Sequence, residues 1–249
     1  MFSLRLSSNV TKWQIFKLSI PIFFSNLAIP LVGIVDTGLM GHLESEKYLI
    51  AVSIASTFLT IIFWSFGFLR MGTVGVVSQT FGKSDYRELV NIILRNFCIA
   101  FIIALLIIIL KPVLINIIFK IFGVSSETNS FIKDYISIRV FSAPAELTIY
   151  VLIGFFLGIQ RTIISSSLII VLSILNICFS IYFVNELGLN VKGVAFGTLL
   201  SAYITFFSFS VYTYFYFIKR FKVIPRFAYK KLLNFKKIFK LLIINFNIF

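Results

Sequence analysis

Six long apolar segments alternate with short polar stretches along this chain. Each is at least as long as the roughly 20 apolar residues that an α-helix needs to cross a bilayer. We therefore predict six transmembrane helices, at about residues 16–40, 48–80, 88–119, 131–159, 163–184 and 191–218.

Glycine and proline positions predict where these helices are irregular. The second segment contains three glycines that we expect to break its helix, namely Gly67, Gly72 and Gly75. In the third segment, Pro112 lacks a backbone N–H, and its ring should kink or end the helix. In the fourth, Gly154 and Gly158 have the spacing of closely packed membrane helices, although this spacing is common by chance in apolar helices.

The composition agrees with a membrane protein. Hydrophobic residues make up 59% of the 249 residues and charged residues only 13%, which is far from the average of soluble domains. The formal net charge is +14, but nine of the 23 Lys and Arg lie between residues 219 and 240, and most of the others border apolar segments. This pattern is typical of cytoplasmic loops beside anionic lipid, so we expect contact with membrane lipid and none with nucleic acid. The predicted fold class is an all-α integral membrane protein.

Basic loop residues predict the orientation of the helices. Arg5 and Lys12 precede the first helix, and Lys83 and Arg87 follow the second, so these loops should face the cytoplasm. Six crossings then place both chain ends in the cytoplasm, in a multi-pass protein of the inner (plasma) membrane. We divide the chain into a cytoplasmic arm, a six-helix lobe, a basic and partly amphipathic cytoplasmic linker, and the start of a truncated seventh helix, at residues 1–12, 13–218, 219–240 and 241–249.

The first helix contains one carboxylate, Asp36, that has no basic neighbour. Uncommon polar, proline and glycine residues precede it, mainly on one stripe of the helix: Ser25, Asn26, Pro30 and Gly33. An ionisable group at the centre of a membrane costs roughly 2.5 to 3.5 kcal/mol to insert and marks a functional site by default. Asp36 also lies about 20 residues into the helix, near the far interface, where a carboxylate is tolerated. The spacing alone leaves both interpretations open.

The fourth helix carries two opposite charges. Arg139 and Glu146 are seven residues apart, which corresponds to two turns and about 10 Å of helix rise. This distance is too long for the usual pair at i and i+4, so we expect each side chain to have another partner or water. They belong either to a polar network inside the lobe or to an outer vestibule, and Glu146 is a second candidate proton site.

The residues do not form a recognisable enzyme site. Intramembrane catalysis requires a set of groups such as a Ser/His pair or a metal cluster. Cys98 and Cys178 lie in separate apolar segments, without the spacing of metal ligands. We therefore predict that the protein is not an enzyme and has no metal site and no cofactor.

Four segments together resemble the amino-terminal half of the multidrug and toxic compound extrusion (MATE) transporters, within their DinF-like branch. The segment SIPIFFSNLAIPLVGIVDTGLMGHL at residues 19–43 is similar to the family's first helix, and VSQTFGKSDYRE at 77–88 to the turn after its second. The segment YISIRVFSAPAELTIYVLIGFFLGIQRT at 135–162 is similar to the fourth helix. The segment LNICFSIYFVNELGLNVKGVAFGT at 175–198 is similar to the fifth helix, its outer loop and the sixth helix. The resemblance rests on the order and spacing of these four segments, which are those of the family.

The resemblance implies a polyspecific efflux antiporter that exports cationic or amphipathic small molecules against the entry of protons or sodium ions. It also implies that Asp36 is the principal coupling carboxylate and that Asn176 belongs to the same site. By residue type alone, Asn176 is equally suited to an interhelical hydrogen bond. The family usually has an aspartate four residues after this asparagine, where the present chain has Ser180. Because this second charge is missing, the resemblance does not decide whether the coupling ion is a proton or a sodium ion.

A mechanism and a partner also follow from the resemblance. A proton and a cation compete for one carboxylate, and this couples two fluxes if protonation bends the helix, for which Pro21 and Pro30 supply bending points. The family has twelve helices in two lobes with the substrate cleft between them. The present chain would supply one lobe and need a second, from another chain or from an identical copy in a homodimer. The alternative is a non-transporting truncated remnant, or a six-helix module that binds a partner chain or lipid.

Overall fold

The computed structural model describes residues 12–43, 45–123 and 125–225. The described residues form nine α-helices and no β-strand: α1 Lys12–Gly41, α2 Glu46–Ser65, α3 Phe68–Gly82, α4 Tyr86–Ile109, α5 Lys111–Phe122, α6 Ser126–Arg139, α7 Ala143–Gly158, α8 Thr162–Ile181 and α9 Asn190–Tyr216. The predicted arm before Lys12, the linker beyond Pro225 and the predicted seventh helix lie outside the described residues.

Six helical spans of the described chain are long and apolar enough to cross a membrane. They are Ser19–Gly41, Glu46–Gly82, Tyr86–Ile109, Ser126–Gly158, Thr162–Glu186 and Asn190–Phe221. The predicted all-α membrane fold with six crossings is thereby confirmed. The side of the membrane on which the ends lie stays a prediction.

The second span is interrupted at one of the three predicted glycines. Helix α2 ends at Ser65, and the turn at Phe66 and Gly67 leads into α3, with the Gly67 N–H donating to the Trp64 carbonyl over 2.8 Å. Gly72 and Gly75 lie inside α3, so the prediction that they break the helix was wrong. A glycine in an apolar helix keeps its backbone hydrogen bonds, because lipid offers no water to replace them.

The interruption predicted near Pro112 is confirmed. Helix α4 ends at Ile109 and α5 begins at Lys111, with Pro112 in the first turn of α5. A proline fits there because the N–H groups of the first turn have no partner within the helix. The third span therefore continues as a second short helix rather than as one kinked helix.

The fourth span forms the centre of the lobe. It consists of α6, a 3-10 turn at Val140–Ser142 and α7, and it is the most buried of the six spans. Helix α6 packs against α2 and α9, while α7 packs against α3, α4, α8 and α9. Its inward side chains include Ile132, Ile136, Leu147 and Val151, all fully buried.

Glycines in α7 and α9 allow two close helix contacts. A Cβ atom added to Gly154 would lie 2.6 Å from the carbonyl oxygen of Arg70 in α3, and one added to Gly158 would lie 2.6 Å from Val77. The spacing of these two glycines therefore does correspond to a packed interface. In α9, a Cβ atom on Gly197 would lie 2.7 Å from the backbone nitrogen of Ser180 in α8.

We expect Gly197→Ala to lower the stability of the lobe by about 1 to 3 kcal/mol, because the added methyl group meets backbone atoms that cannot move aside cheaply. The matched control is Gly38→Ala in α1, where an added Cβ atom has nothing within 4 Å. Thermal melting of the two purified variants measures the difference. Equal melting temperatures would contradict the close contact between α8 and α9.

Helix α1 is the most weakly embedded part of the lobe. It packs along α8 and, less extensively, on α2. Among those of its side chains that the structure describes, only Ser25 and Met40 are buried. Pro21 and Pro30 lie inside this helix, which runs without a break from Lys12 to Gly41. Bending at the two prolines stays a prediction.

Candidate functional site

Helices α1 and α8 run parallel and bring distant parts of the sequence together. The Ser25 hydroxyl lies 3.4 Å from the Ser166 hydroxyl. Further along both helices, the Asp36 carboxyl has the Ser180 hydroxyl as a hydrogen-bonding neighbour. Because both contacts advance in the same direction along the two chains, the side chain of Asp36 is held at the contact between α1 and α8.

The environment of Asp36 is that of a partly compensated carboxylate. Its Oδ1 atom is buried and has no hydrogen-bond partner among the described residues. The charge of the Arg139 guanidinium acts on the carboxyl group electrostatically, in addition to the contact with Ser180. An acceptor oxygen that is hidden from water and unpaired is costly to keep in a membrane. The site is therefore suited to a proton or cation that would satisfy this oxygen.

Ser180 also links Asp36 to Asn176. The Ser180 hydroxyl donates to the Asn176 Oδ1 atom over 3.2 Å within α8, and both residues are buried. A hydroxyl has a single hydrogen, so Ser180 cannot donate to Asn176 and to Asp36 at the same time. The structure thus brings together Asp36, Asn176 and Ser180, which are three of the four predicted ion or substrate residues.

The prediction that Arg139 and Glu146 need separate partners was wrong. An ion pair joins Arg139 Nη1 and Glu146 Oε1, with the two side chains only 11% and 14% exposed. Ser142 lies between them: it accepts from Arg139 and donates to Glu146 Oε1 over 2.9 Å. Both charged side chains are long enough to extend towards each other along one helix face, across the two turns that separate their Cα atoms.

A second pair in the chain has the same spacing. The Arg95 Nη1 and Glu88 Oε1 atoms of α4 lie 2.8 Å apart, and these residues are also separated by seven positions. A spacing of seven therefore suffices for an arginine–glutamate pair in a membrane helix. Of the two locations left open for Arg139 and Glu146, the low exposure supports the polar network inside the lobe.

Tyr135 connects this ion pair to the carboxylate of α1. The Tyr135 side chain is hydrogen-bonded to Arg139, and the charges of Asp36, Arg139 and Glu146 all act on it. The Arg139 guanidinium also lies over the Phe63 ring, 5.1 Å from its centroid. The hydrogen-bonded network therefore extends from Glu146 to Tyr135, and its link to Asp36 is electrostatic.

Tyr135 and Ser142 were not predicted from the sequence as members of this network. Together with Arg139 and Glu146 they follow one another at spacings of four, three and four residues, which places all four on one face of the fourth span. This regular spacing of polar residues is the signal that could have identified the network. Glu146 already has Arg139 as its counter-ion, so its role as a second proton site stays a prediction that ranks below Asp36.

The described residues contain no cluster of three or more His, Cys, Asp or Glu side chains that could hold a metal ion.

A protein family model, MatE, matches residues 21–182. The chain belongs to the MatE family. This confirms the resemblance to MATE transporters, and the family is one of transporters rather than enzymes. With its six spans, this MatE-family chain is a multi-pass protein of the inner membrane.

Individual relatives agree with this assignment. The chain is 34% identical over 199 residues to DNA damage-inducible protein F of Escherichia coli (strain K12), covering 80% of this chain and 43% of that protein. It is 23% identical over 194 residues to multidrug export protein MepA of Staphylococcus saprophyticus, covering 78% of this chain and 43% of that protein. The MatE-family chain therefore spans less than half the length of these curated relatives.

Solved structures show the same fold. A MOP superfamily transporter from Pyrococcus furiosus superposes with a TM-score of 0.79 at 21% identity, covering 93% of this chain and 50% of that one. An outward-facing multidrug resistance MATE family transporter superposes with a TM-score of 0.77, also at 21% identity, covering 92% of this chain and 50% of that one. The fold is thus that of one half of such a transporter.

Proposed function

We propose that this MatE-family chain is the amino-terminal lobe of a multidrug efflux antiporter, which exports cationic or amphipathic compounds in exchange for protons or sodium ions. The observation that carries the proposal is the Asp36 carboxylate, whose buried Oδ1 atom has no hydrogen-bond partner among the described residues. The similarity to a relative named multidrug export protein supports multidrug export.

The proposed coupling step is a competition at Asp36. A proton or a cation on Asp36 cancels its charge and with it the attraction to Arg139. The Ser180 hydroxyl then no longer has a charged acceptor in Asp36, so its hydrogen stays with Asn176, as in the structure. Both changes weaken the attachment of α1 to the rest of the lobe. Substrate efflux and ion entry become coupled because the Asp36 carboxylate cannot hold the exported compound and the entering ion at once.

We further propose that transport requires a second six-helix lobe. The match to about half of each solved transporter supports this view. The second lobe comes from another chain or from an identical copy, and the exported compound binds between the two. Membrane lipid surrounds the lobes, and we expect no nucleic acid as a partner.

Efflux driven by an imposed ion gradient tests the proposal. Cells that lack other exporters are made to express this chain alone, or this chain together with the carboxyl-terminal half of the Escherichia coli relative. Export of ethidium, a fluorescent cation, is then followed under a proton or a sodium gradient. We expect gradient-dependent export in at least one of the two strains. Equal ethidium accumulation in both strains and in cells without the chain would contradict a transport function.

The coupling ion can be tested at the position where this chain lacks the family's usual second carboxylate. We expect Ser180→Asp to increase the dependence of ethidium export on the sodium or proton gradient severalfold, because two carboxylates hold a cation more tightly than one. Ser180→Asn is the matched control, with a side chain of nearly the same size and no charge. Equal responses of the two variants would show that Ser180 lies outside the ion site.

A further inference from the structure

A cavity of about 380 Å³ lies between α1, α3, α7 and α8. Its polar lining consists of one cation and four uncharged groups, namely Arg70, Ser25, Asn26, Ser165 and Ser166. The remaining lining is apolar and includes Ile22, Val74 and Leu157. The cavity therefore offers one positive charge and several hydrogen-bonding groups within an apolar wall.

Arg70 differs from the other two arginines in the interior of the spans. Arg95 is paired with Glu88 and Arg139 with Glu146, whereas no ion pair of Arg70 occurs within the described residues. The cavity lining contains no carboxylate. A charged side chain inside a membrane span requires compensation, and it marks a site for a ligand when the protein does not supply a partner.

Backbone packing fixes the position of Arg70. The Arg70 carbonyl lies so close to α7 that a Cβ atom on Gly154 would come within 2.6 Å of it. Elsewhere in the lining, the Ser25 and Ser166 hydroxyls are 3.4 Å apart, and Ser25 donates to the Ile22 carbonyl over 2.9 Å. The cation and the hydroxyl groups are thus held on three different helices that face one cavity.

The chemistry of these groups selects an anion. A guanidinium presents parallel N–H donors that match the two oxygens of a carboxylate, sulfonate or phosphate. The Asn26 amide and the Ser166 hydroxyl can donate further hydrogen bonds to the same group. The apolar walls suit a hydrocarbon or aromatic portion, so the expected ligand is amphipathic.

We propose that this cavity binds the oxyanion group of an amphipathic molecule, with Arg70 as its counter-ion. The site is distinct from that of Asp36, because it has the opposite charge preference and because residues 25 and 36 are separated by roughly 16 Å of helix rise. It does not depend on the proposed transport function. The oxyanion belongs either to a membrane phospholipid or to a free amphipathic compound.

Binding of dodecyl phosphate to the purified chain in a neutral detergent tests the site. We expect saturable binding that Arg70→Gln weakens about tenfold or more, since a charge-assisted bidentate contact is lost. Arg70→Lys should retain part of the affinity. The matched control is Arg87→Gln, which removes an exposed cation from the first turn of α4 and should leave binding unchanged.

A second variant keeps the test valid if Arg70→Gln does not fold. Asn26 is exposed on α1, so Asn26→Leu should fold normally and weaken binding severalfold. The proposal is overturned if dodecyl phosphate binds Arg70→Gln or, where that variant does not fold, Asn26→Leu as tightly as the unchanged chain. It is equally overturned if Arg87→Gln loses as much affinity as Arg70→Gln.

The source of the oxyanion is distinguished in lipid nanodiscs. One set contains only phosphatidylcholine, and the other also contains phosphatidylglycerol. If phosphatidylglycerol reduces the binding of dodecyl phosphate in an Arg70-dependent way, then an anionic phospholipid occupies the site. If dodecyl phosphate binds equally in both sets and depends on Arg70, the site takes free amphipathic anions. Binding in both sets that is independent of Arg70 overturns the proposal.

Discussion

Replacing Asp36 by Asn should reduce gradient-driven ethidium export to the background of cells without the chain. The amide has almost the same shape as the carboxylate, but it can neither take up a proton nor attract a cation at neutral pH. The interaction with the charge of Arg139 is lost at the same time. Export is measured as the initial rate of fluorescence loss under an imposed proton or sodium gradient, at equal amounts of protein in the membrane.

Two further variants make this result specific. Glu186→Gln removes an exposed carboxylate beyond the end of α8 and should leave export unchanged. Asp36→Glu retains the carboxylate and should retain part of the activity. If Asp36→Asn exports ethidium as fast as the unchanged chain, Asp36 is not the coupling carboxylate.

Replacing Glu146 by Gln should strongly destabilise the lobe. Removal of one partner of a buried ion pair leaves the other charge uncompensated, at a cost of roughly 3 to 5 kcal/mol. The remaining contacts of Arg139 with Ser142, Tyr135 and the Phe63 ring place the expected loss at the lower end of this range. Thermal melting of the purified chain in detergent measures the effect.

An exposed ion pair provides the matched control. Lys47 and Glu127 form an ion pair with side chains that are 46% and 58% exposed, so Glu127→Gln should cost less than about 1 kcal/mol. The double variant Arg139→Met with Glu146→Leu should melt above Glu146→Gln, because it leaves neither member of the pair buried without its partner. A Glu146→Gln variant as stable as Glu127→Gln would show that Arg139 is compensated without Glu146.

The spans and the candidate carboxylate could be predicted because their signals are local. A bilayer requires an apolar run of fixed length, and the six runs are separated by polar turns. Asp36 stands out because an isolated carboxylate in an apolar helix is rare. Its contact with Ser180 could be anticipated only through the resemblance to a known family, since no local pattern pairs residues so distant in the chain.

Other features depend on side-chain reach and on three-dimensional packing. The ion pair of Arg139 and Glu146 was missed because helix rise measures the distance between backbones and not the extension of two long side chains. The sequence did not distinguish Gly67, which lies at a helix break, from Gly72, which lies inside α3. The cavity at Arg70 was not predicted because its walls come from four separate helices.

The parallel packing of α1 and α8 has a thermodynamic consequence. Both sites lie on this one contact, with Ser25 and Ser166 at the cavity and Asp36 and Ser180 at the carboxylate. Any displacement of α1 along α8 changes the two sites together, so the free energies of binding at them are linked. Such linkage is reciprocal: an anion in the cavity that shifts the ion affinity of Asp36 is itself bound more or less tightly, by the same factor, when Asp36 is occupied.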